Sequence, residues 1–465
     1  MFPTEPVRYA DETHSPRPAP CALPPGLLIR PRRRSRRRPR ARNALPPNII
    51  VFFADDMGYA DLSCFGAQTC FTPNLDELAD QGMRMTHFYT ASPGCSPSRA
   101  ALLTGCYPQR VGIPTVIGPG TDYGLNPDET TIAELLREQG YATAMVGKWH
   151  IGYGADHLLP LHHGFDEYLG LPYSNDMWPF HYGDHDRGLV GNPNWPDLPL
   201  IDGNEVVELN PRQDSLTPRY TERALDFIDR SADEPFFLYF AYSHPHVPIA
   251  ASEAFRGTSG QGLYADMVAE MDDAVGQVVD RLRELGIDDN TMVVFTSDNG
   301  PWTRFGNHAG SAGPFRGDKG TTFEGGMRMP CVVWWPGHIP AGTTCTEVAT
   351  TMDLLPTAAA LTDAPLPQHK IDGHDISPLL LGEDGATTPY DVFYYYWPGE
   401  LQAVRVGDWK LHLPHNHRTV EEAGHDGTPG TQGSARASSC RCTTSRMTPP
   451  SRSTSRTSTP TSSPS

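Results

Sequence analysis

The sequence predicts a doubly wound α/β protein on a mostly parallel sheet, followed by a smaller antiparallel sheet. Three observations carry that expectation. Nearly unbroken apolar runs, NIIVFFA (48–54), PFFLYFAYS (235–243) and TMVVFTS (291–297), suit strands covered on both faces. Segments of helical period separate them, opened by capping residues and closed by glycine. Oxygen- and nitrogen-bearing side chains follow the strands directly, and ligands in such folds collect at strand carboxyl ends.

The elements follow in order. Residues 1–45 are rich in Pro and Arg without apolar periodicity and read as a disordered extension. A nucleic-acid arm is one account of it; translation from an upstream start codon is the one preferred. NIIVFFA begins the folded body. TPNLDELADQG (72–82) reads as a helix with Thr72 as N-cap, Pro73 at its first position and Gly82 as stop. PDETTIAELLREQG (127–140) reads as another capped helix, with YATAMVG as the next strand. In 263–286, Met267, Met271, Ala274, Val275, Val278 and Leu282 share one helical face and Gly286 ends the helix. From about 390, VFYYYWPG and AVRVGDWKLHL read as short antiparallel strands. Past about 431 the chain is Ser, Thr, Pro and Arg with almost no large apolar residue, a composition that cannot form a core. The division expected is therefore 1–45 extension, 46–389 main α/β domain, 390–430 partial C-terminal subdomain and 431–465 disordered tail.

Composition excludes several functions. The 465 residues carry a formal net charge of -18, although residues 30–42 hold a dense arginine cluster and no acid follows Asp426. So acidic a body does not suit phosphate-backbone binding. The nine cysteines form no CxxC pair, which argues against a structural zinc site. Cys64 with Cys70, and Cys331 with Cys345, are spaced for local disulfides or stand as free thiols. No stretch approaches the roughly 20 apolar residues of a membrane span. The arginine run is followed by no apolar h-region, so no signal peptide is expected.

The chemistry concentrates at strand ends. Asp55-Asp56 follow the first strand and Asp298-Asn299 follow TMVVFTS, two adjacent oxygen-donor pairs of the kind a hard divalent cation requires. GKWHIG (147–152) places Lys148 and His150 on one side of a strand end. SHPHVP (243–248) supplies His244 and His246, and FRGDKGTTFEGGMRMP (315–330) is a Gly-rich loop with Lys319, Glu324 and Arg328. In ASPGCSPSRAALLTG (91–105), Pro97 suits a first helical turn, so Cys95 lies at a helix N-terminus with Arg99 one turn along. A cation, two lysines, an arginine and histidines around one nucleophile candidate make a site for a tetrahedral oxyanion ester.

Cys95-Ser96-Pro97-Ser98-Arg99 with AALLTG resembles the sulfatase signature, C-x-P-S-R followed by x-x-x-L-T-G. FFADDMGYADLSCFG, TPNLDELADQGMRMTHFY, GYATAMVGKWHIG, HPHVP, FTSDNG and GTTFEGGMRMP resemble further blocks of that family in the same order, over about 47–412. GFDEYLGLPYSNDMWP is similar to its arylsulfatase A branch. The resemblance implies an alkaline phosphatase-like fold and an arylsulfatase-type sulfuric ester hydrolase acting on aryl or carbohydrate sulfates. It implies that a separate maturation enzyme oxidises Cys95 to Cα-formylglycine, whose hydrate attacks sulfur. It further implies one Ca²⁺, or Mg²⁺, held by Asp55, Asp56, Asp298, Asn299 and residue 95. Arg99 would support the gem-diol, Lys148 and Lys319 would clamp sulfate, His246 would protonate the leaving oxygen and His150 would assist the hydroxyl. Ser174 joins this network in the arylsulfatase A branch, and His246 is chosen over His244 because the family histidine stands directly before x-Pro. Trp178, His181, Trp195 and the loop 171–200 are expected to line the outer pocket. A periplasmic or secreted location is implied, with no membrane span and no nucleic-acid partner.

The nearest rival is a phosphomonoesterase or phosphonate hydrolase of the same superfamily, which needs two metals and further His/Asp ligands not placed here. A catalytically dead product of a damaged gene is the rival from another class. Two departures stand out. Cys106 occupies a position, after LTG, where the family commonly carries a basic residue. The tail also lacks the expected segment like LYDLENDPGE. A codon choice for CTTSRMTP (442–449), read one nucleotide back, gives LHDLEDDP, so the tail from about 431 reads as an out-of-frame translation.

Overall fold

The computed structural model describes residues 46–180, 194–437 and 441–444. The expectations for residues 1–45, for His181 and for 445–465 lie outside the described residues. In chain order the first strands are β1 (Asn48–Ala54), β2 (Met83–Met85), β3 (Phe88–Tyr89), β4 (Ala142–Gly147), β5 (Glu167–Gly170), β6 (Pro199–Asp202), β7 (Glu205–Leu209) and β8 (Phe236–Ala241). They are followed by β9 (Thr291–Ser297), β10 (Arg328–Met329), β11 (Val332–Trp334), β12 (Thr343–Cys345) and β13 (Ala349–Thr350). The last are β14 (Phe393–Tyr396), β15 (Leu401–Val406), β16 (Trp409–His412), β17 (His415–Glu422), β18 (Thr431–Ala437) and β19 (Arg441–Thr444). The principal helices are α1 (Pro73–Gln81), α2 (Cys95–Thr104), α3 (Ile132–Glu138), α4 (Leu216–Ser231), α5 (Leu263–Leu285), α6 (Glu324–Met327) and α7 (Leu354–Leu361).

Ten strands form the main sheet in the order β12-β2-β11-β9-β1-β8-β4-β5-β6-β7. Its centre, β9-β1-β8-β4-β5, is parallel throughout, with β11 antiparallel to β9 on one side and β6 antiparallel to β5 on the other. β1 shows why these runs carry no polar alternation. Ile50, Phe52 and Ala54 face a core shared with Phe227 of α4 and Met271 and Val275 of α5. Ile49, Val51 and Phe53 face another, shared with Leu102 of α2, Leu135 of α3 and Leu355 of α7. Each buried Phe or Ile adds on the order of 1.5–3 kcal/mol.

Helix ends follow their caps. The helix expected over 127–140 begins only at Ile132, a correction explained by a capping box: Thr131 Oγ1 accepts from the Glu134 amide at 3.1 Å, and Glu134 accepts from the Thr131 amide at 2.8 Å. α5 ends as expected, with Gly286 left-handed at φ 62° and its amide returned to Leu282 and Arg283.

A small antiparallel sheet, β14-β15-β16-β19, and a hairpin, β17-β18, follow. This corrects the expectation that ordered structure stops at 430. Thr431–Ala437 pairs along the whole of β17, and Arg441–Thr444 pairs with β16. A polar composition removes the means to form a core, but backbone pairing requires none of it. Phe393, Tyr395 and Ala403 pack on Tyr89, Ala91, Ala101 and Met327, fastening the small sheet to the catalytic body.

Beneath that junction lies a buried charge cluster. Glu324 accepts from Lys410 Nζ at 2.9 Å and from Tyr89 Oη at 2.7 Å, with Arg328 Nη1 at 3.5 Å, and Arg405 donates to Tyr89 Oη at 2.6 Å. Burial raises Glu324, but Lys410 and Arg328 outweigh it and hold the carboxyl at about 2. Burial pulls Lys410 down to about 8 against the attraction of Glu324. Because Arg328 and Tyr89 also favour the carboxylate, the ionised Glu324 is the state this cluster is built for. The cysteine spacings expected for local bridges hold free thiols at Cys64, Cys70, Cys331 and Cys345. Among the described residues no helix is long and apolar enough to cross a membrane.

Candidate active site

Four neighbouring parallel strands deliver the site from their carboxyl ends. β9 leads into Asp298 and Asn299, β1 into Asp55 and Asp56, β8 into His244 and His246, and β4 into Lys148 and His150. Backbone hydrogen bonds hold these ends in register: Asp298 N to Ala54 O at 3.0 Å, Asp55 N to His244 O at 3.1 Å, and Lys148 N to Ala241 O at 2.7 Å. Asp56 and His150 adopt positive φ, 66° and 61°. Non-glycine residues bear that conformation at a cost, and it is concentrated at functional sites.

The signature segment forms α2, whose ten residues are all buried. Gly94 is its N-cap, and Cys95 is the first helical residue. A Cβ at Gly94 would lie 2.8 Å from the Trp397 ring, so a larger residue ahead of the cysteine requires that ring to move. Ser96 Oγ accepts from Ile117 N at 3.0 Å, and Ser98 Oγ pairs with Thr90 Oγ1, fixing the turn.

Cys95 Sγ lies 3.4 Å from Asp55 Oδ1 and 4.0 Å from Asp56 Oδ1. Burial pushes the thiol well up, and the Asp55 charge adds to it, so the group is a protonated donor to Asp55 rather than a thiolate. Arg99 binds Asp298 Oδ2 through Nε at 3.2 Å and Nη2 at 3.0 Å, and donates to Lys148 O at 2.7 Å. Lys148 Nζ holds Asp55 Oδ2 and donates to Ser174 Oγ at 3.1 Å. Lys319 Nζ lies 2.7 Å from Asp56 Oδ1 and 4.6 Å from the Trp302 ring centre. His246 Nε2 lies 3.5 Å from Asp56 Oδ2, and His150 Nε2 meets Ile117 O at 2.8 Å. His244 turns away to Thr217 Oγ1 at 3.4 Å. The structure thus brings Asp55, Asp56, Cys95, Arg99, Lys148, His150, Ser174, His246, Asp298, Asn299 and Lys319 together.

Three aspartates face three cations, Arg99, Lys148 and Lys319, but the carboxyls are not held alike. Burial raises Asp55, yet Lys148, His246, Arg99 and Lys319 together hold it well below the usual range. Asp56 rises to about 6 through burial, against the pull of Lys319, and Asp298 to about 7 through burial and the Asp55 charge. Asn299 Nδ2 donates to Asp56, while its Oδ1 is buried and accepts nothing. Hard oxygen donors with an orphaned amide oxygen fit a divalent ion of the calcium or magnesium kind. Asp55, Asp56, Cys95 and His246 each offer one donor atom within 4.8 Å of the others. His246 was not among the ligands expected, and Asp298 Oδ2 is turned onto Arg99.

The cavity over Cys95 measures about 170 Å³. His150, Ser174, His246 and Lys319 line it, with Asp176, Met177, Trp302, Trp397 and Arg418. Asp176 and Met177 belong to the loop 171–200 expected there, while Trp302, Trp397 and Arg418 were missed from the sequence. Trp302 follows the Asp298-Asn299 strand end, so a signal existed for it. Arg418 comes from β17 and donates to Lys319 O at 2.8 Å; nothing local in the sequence points to it. Two expected wall residues are corrected. Trp178 is a fully buried core residue, and Trp195 is half-buried beside Gly118, outside the cavity lining. The long apolar ring of Trp178 fills the core behind the loop, and its neighbour Met177 faces the cavity instead.

A family model described as Sulfatase matches residues 47–364. The chain is 43% identical over 405 residues to arylsulfatase A of Homo sapiens, covering 82% of this chain and 78% of that protein. It is 43% identical over 389 residues to N-acetylgalactosamine-6-sulfatase of Sus scrofa, covering 79% and 72%. The PsFucS1 sulfatase from Pseudoalteromonas sp. superimposes with a TM-score of 0.72 at 30% identity, over 80% of this chain and 79% of that one.

Proposed function

The chain belongs to the sulfatase family of sulfuric ester hydrolases, with the alkaline phosphatase-like fold, and on that premise we propose a mechanism through an oxidised Cys95 and one divalent cation. The observation that carries it is the state of Cys95: a sealed, protonated thiol at a helix N-terminus, facing carboxylates, is a poor nucleophile as it stands. Oxidised to formylglycine and hydrated, the same position presents two hydroxyls. One attacks sulfur in line and the alcohol departs; the second then expels sulfate and restores the aldehyde.

Asp55, Asp56, Asp298, Asn299 and residue 95 would hold Ca²⁺ or Mg²⁺. An ion bound there would supply Lewis acidity, lowering the pKa of a hydroxyl at residue 95 and polarising the sulfuryl group. The chain's own groups do the remainder. Arg99 orients the gem-diol while staying bonded to Asp298. Lys148 and Lys319 offset charge moving onto the non-bridging oxygens, and Ser174 positions Lys148. His246 protonates the leaving oxygen and His150 takes the proton of the second hydroxyl. Arg418, Trp302 and Trp397 would face the alcohol portion, an arrangement suited to an aryl ring or an anionic sugar. The relatives named for arylsulfatase and N-acetylgalactosamine-6-sulfatase activity motivate these two substrate classes.

Cys95, Ser96, Ser98 and Arg99 are at most 1% exposed and Pro97 is buried with them, so a maturation enzyme would read them as an extended segment before the chain folds. The test is sulfate release from p-nitrophenyl sulfate and from N-acetylgalactosamine 6-sulfate after co-expression with a formylglycine-generating enzyme. Turnover that requires the co-expression and is lost in chelator is expected. Hydrolysis of p-nitrophenyl phosphate alone would overturn the reading.

A further inference from the structure

Cys106, which stands where a basic residue is usual after LTG, belongs to a second constellation that the proposed reaction leaves unused. It follows the left-handed Gly105 that ends α2 and is fully buried. Around it pack the turn before α3, carrying Glu129, and the segment after α7, carrying His369. Each of the three side chains offers one donor atom within 4.8 Å of the other two. His369 Nε2 is sealed from solvent yet makes no hydrogen bond, and stands 3.6 Å from Glu129 Oε2. The thiol has only long contacts, 3.5 Å to Thr104 O and 3.8 Å to Lys370 O.

The nitrogen–oxygen spacing is informative. It exceeds a hydrogen bond, but tetrahedral zinc with bonds of about 2.1 Å separates two such ligands by about 3.4 Å. A thiolate, an imidazole and a carboxylate together make a donor set for a borderline-soft ion rather than for calcium. The His369 and Glu129 side chains remain 35% and 18% exposed, which gives an entry path and room for a water as fourth ligand. The absence of CxxC pairs argued against zinc in the sequence, because three ligands from three distant segments leave no spacing signal.

We propose that Cys106, Glu129 and His369 form a second metal site, for one zinc-class divalent cation, that ties the end of the signature helix to the two segments crossing it. On binding, the Cys106 S–H bond breaks, the sulfur–metal bond forms and the proton passes to solvent. The helix end is already strapped there: Asp372 and Gly373 amides donate to Gly105 O at 2.9 and 2.8 Å, and Asp372 accepts from Tyr107 N at 2.9 Å. The ion would add a clamp at the C-terminal end of the helix whose first residue is Cys95.

The test is a Co²⁺ titration of chelator-stripped protein in excess Ca²⁺, followed by Zn²⁺. The expected result is one equivalent with a thiolate-to-cobalt charge-transfer band, displaced by Zn²⁺, and a thermal midpoint raised by Zn²⁺. Cys106→Ser and His369→Ala should each lose the band and the Zn²⁺-dependent midpoint shift, while Ca²⁺-supported sulfate release persists. His369→Ala serves if the buried substitution does not fold. Absence of the band in the parent protein, or its survival in either variant, overturns the proposal.

Discussion

Two buried charge clusters in this molecule are built from similar residues and behave in opposite ways. At the junction with the small sheet, both oxygens of Glu324 are bonded, by Lys410 and by Tyr89 with Arg328, and the carboxyl is held at about 2. At the strand ends, three aspartates face Arg99, Lys148 and Lys319, yet Asp56 and Asp298 rise to about 6 and about 7 and Asn299 Oδ1 accepts nothing. A closed network has no capacity left and serves to hold two parts together. An open one keeps donors in reserve for something that arrives later, in the proposed reaction a cation and a sulfate ester.

Substitutions in each cluster should separate these roles. Cys95→Ala has the largest expected effect: sulfate release falls by at least ~10⁴-fold with the thermal midpoint retained, read by steady-state kinetics beside calorimetry. Glu324→Gln should leave Lys410 and Arg328 buried without their counter-charge and cost about 3–5 kcal/mol in denaturant unfolding, while turnover per folded molecule stays. The same cluster fixes a pH dependence. Glu324 lies below its usual value of 4.5 when folded, so its stabilisation is present above that value and is lost as pH falls through about 2. The gap between parent and Glu324→Gln unfolding should therefore close on acidification across that window. Equal losses of activity in Glu324→Gln would break the distinction between the clusters.

Lys319→Ala should lower kcat by ~10²–10³-fold, but destabilise less than Glu324→Gln, since Asp56 at about 6 takes up a proton readily. Arg418→Ala should be the mildest, raising KM for an anionic sugar sulfate by roughly tenfold, as one partly solvated charge contact is lost, and leaving p-nitrophenyl sulfate nearly unaffected.

Much of the catalytic cluster was legible because the fold delivers it from strand ends, and β1, β8 and β9 announce themselves as apolar runs with polar residues immediately after. Asp55 and Asp298 could be placed on that ground alone, whereas the role of Lys148 and the choice of His246 over His244 came from the resemblance. What lay hidden came from long-range packing. Arg418 reaches the cavity from β17, and its neighbours in sequence carry no mark of it. Trp178 was expected in the pocket wall because its loop was, but the loop turns it into the core. The pairing of β18 was missed because composition reports on side-chain burial and is silent about backbone ladders. Cys106 read as a lone departure until Glu129 and His369 came beside it.

The central claim is that the buried thiol at the start of α2 is a precursor and not the working group. Mass spectrometry of the peptide spanning Cys95, from protein co-expressed with a formylglycine-generating enzyme, tests this most directly, with sulfate release measured on the same sample. The account predicts an aldehyde at residue 95, in a fraction that scales with turnover. Full turnover from protein whose residue 95 is entirely unmodified cysteine would contradict it.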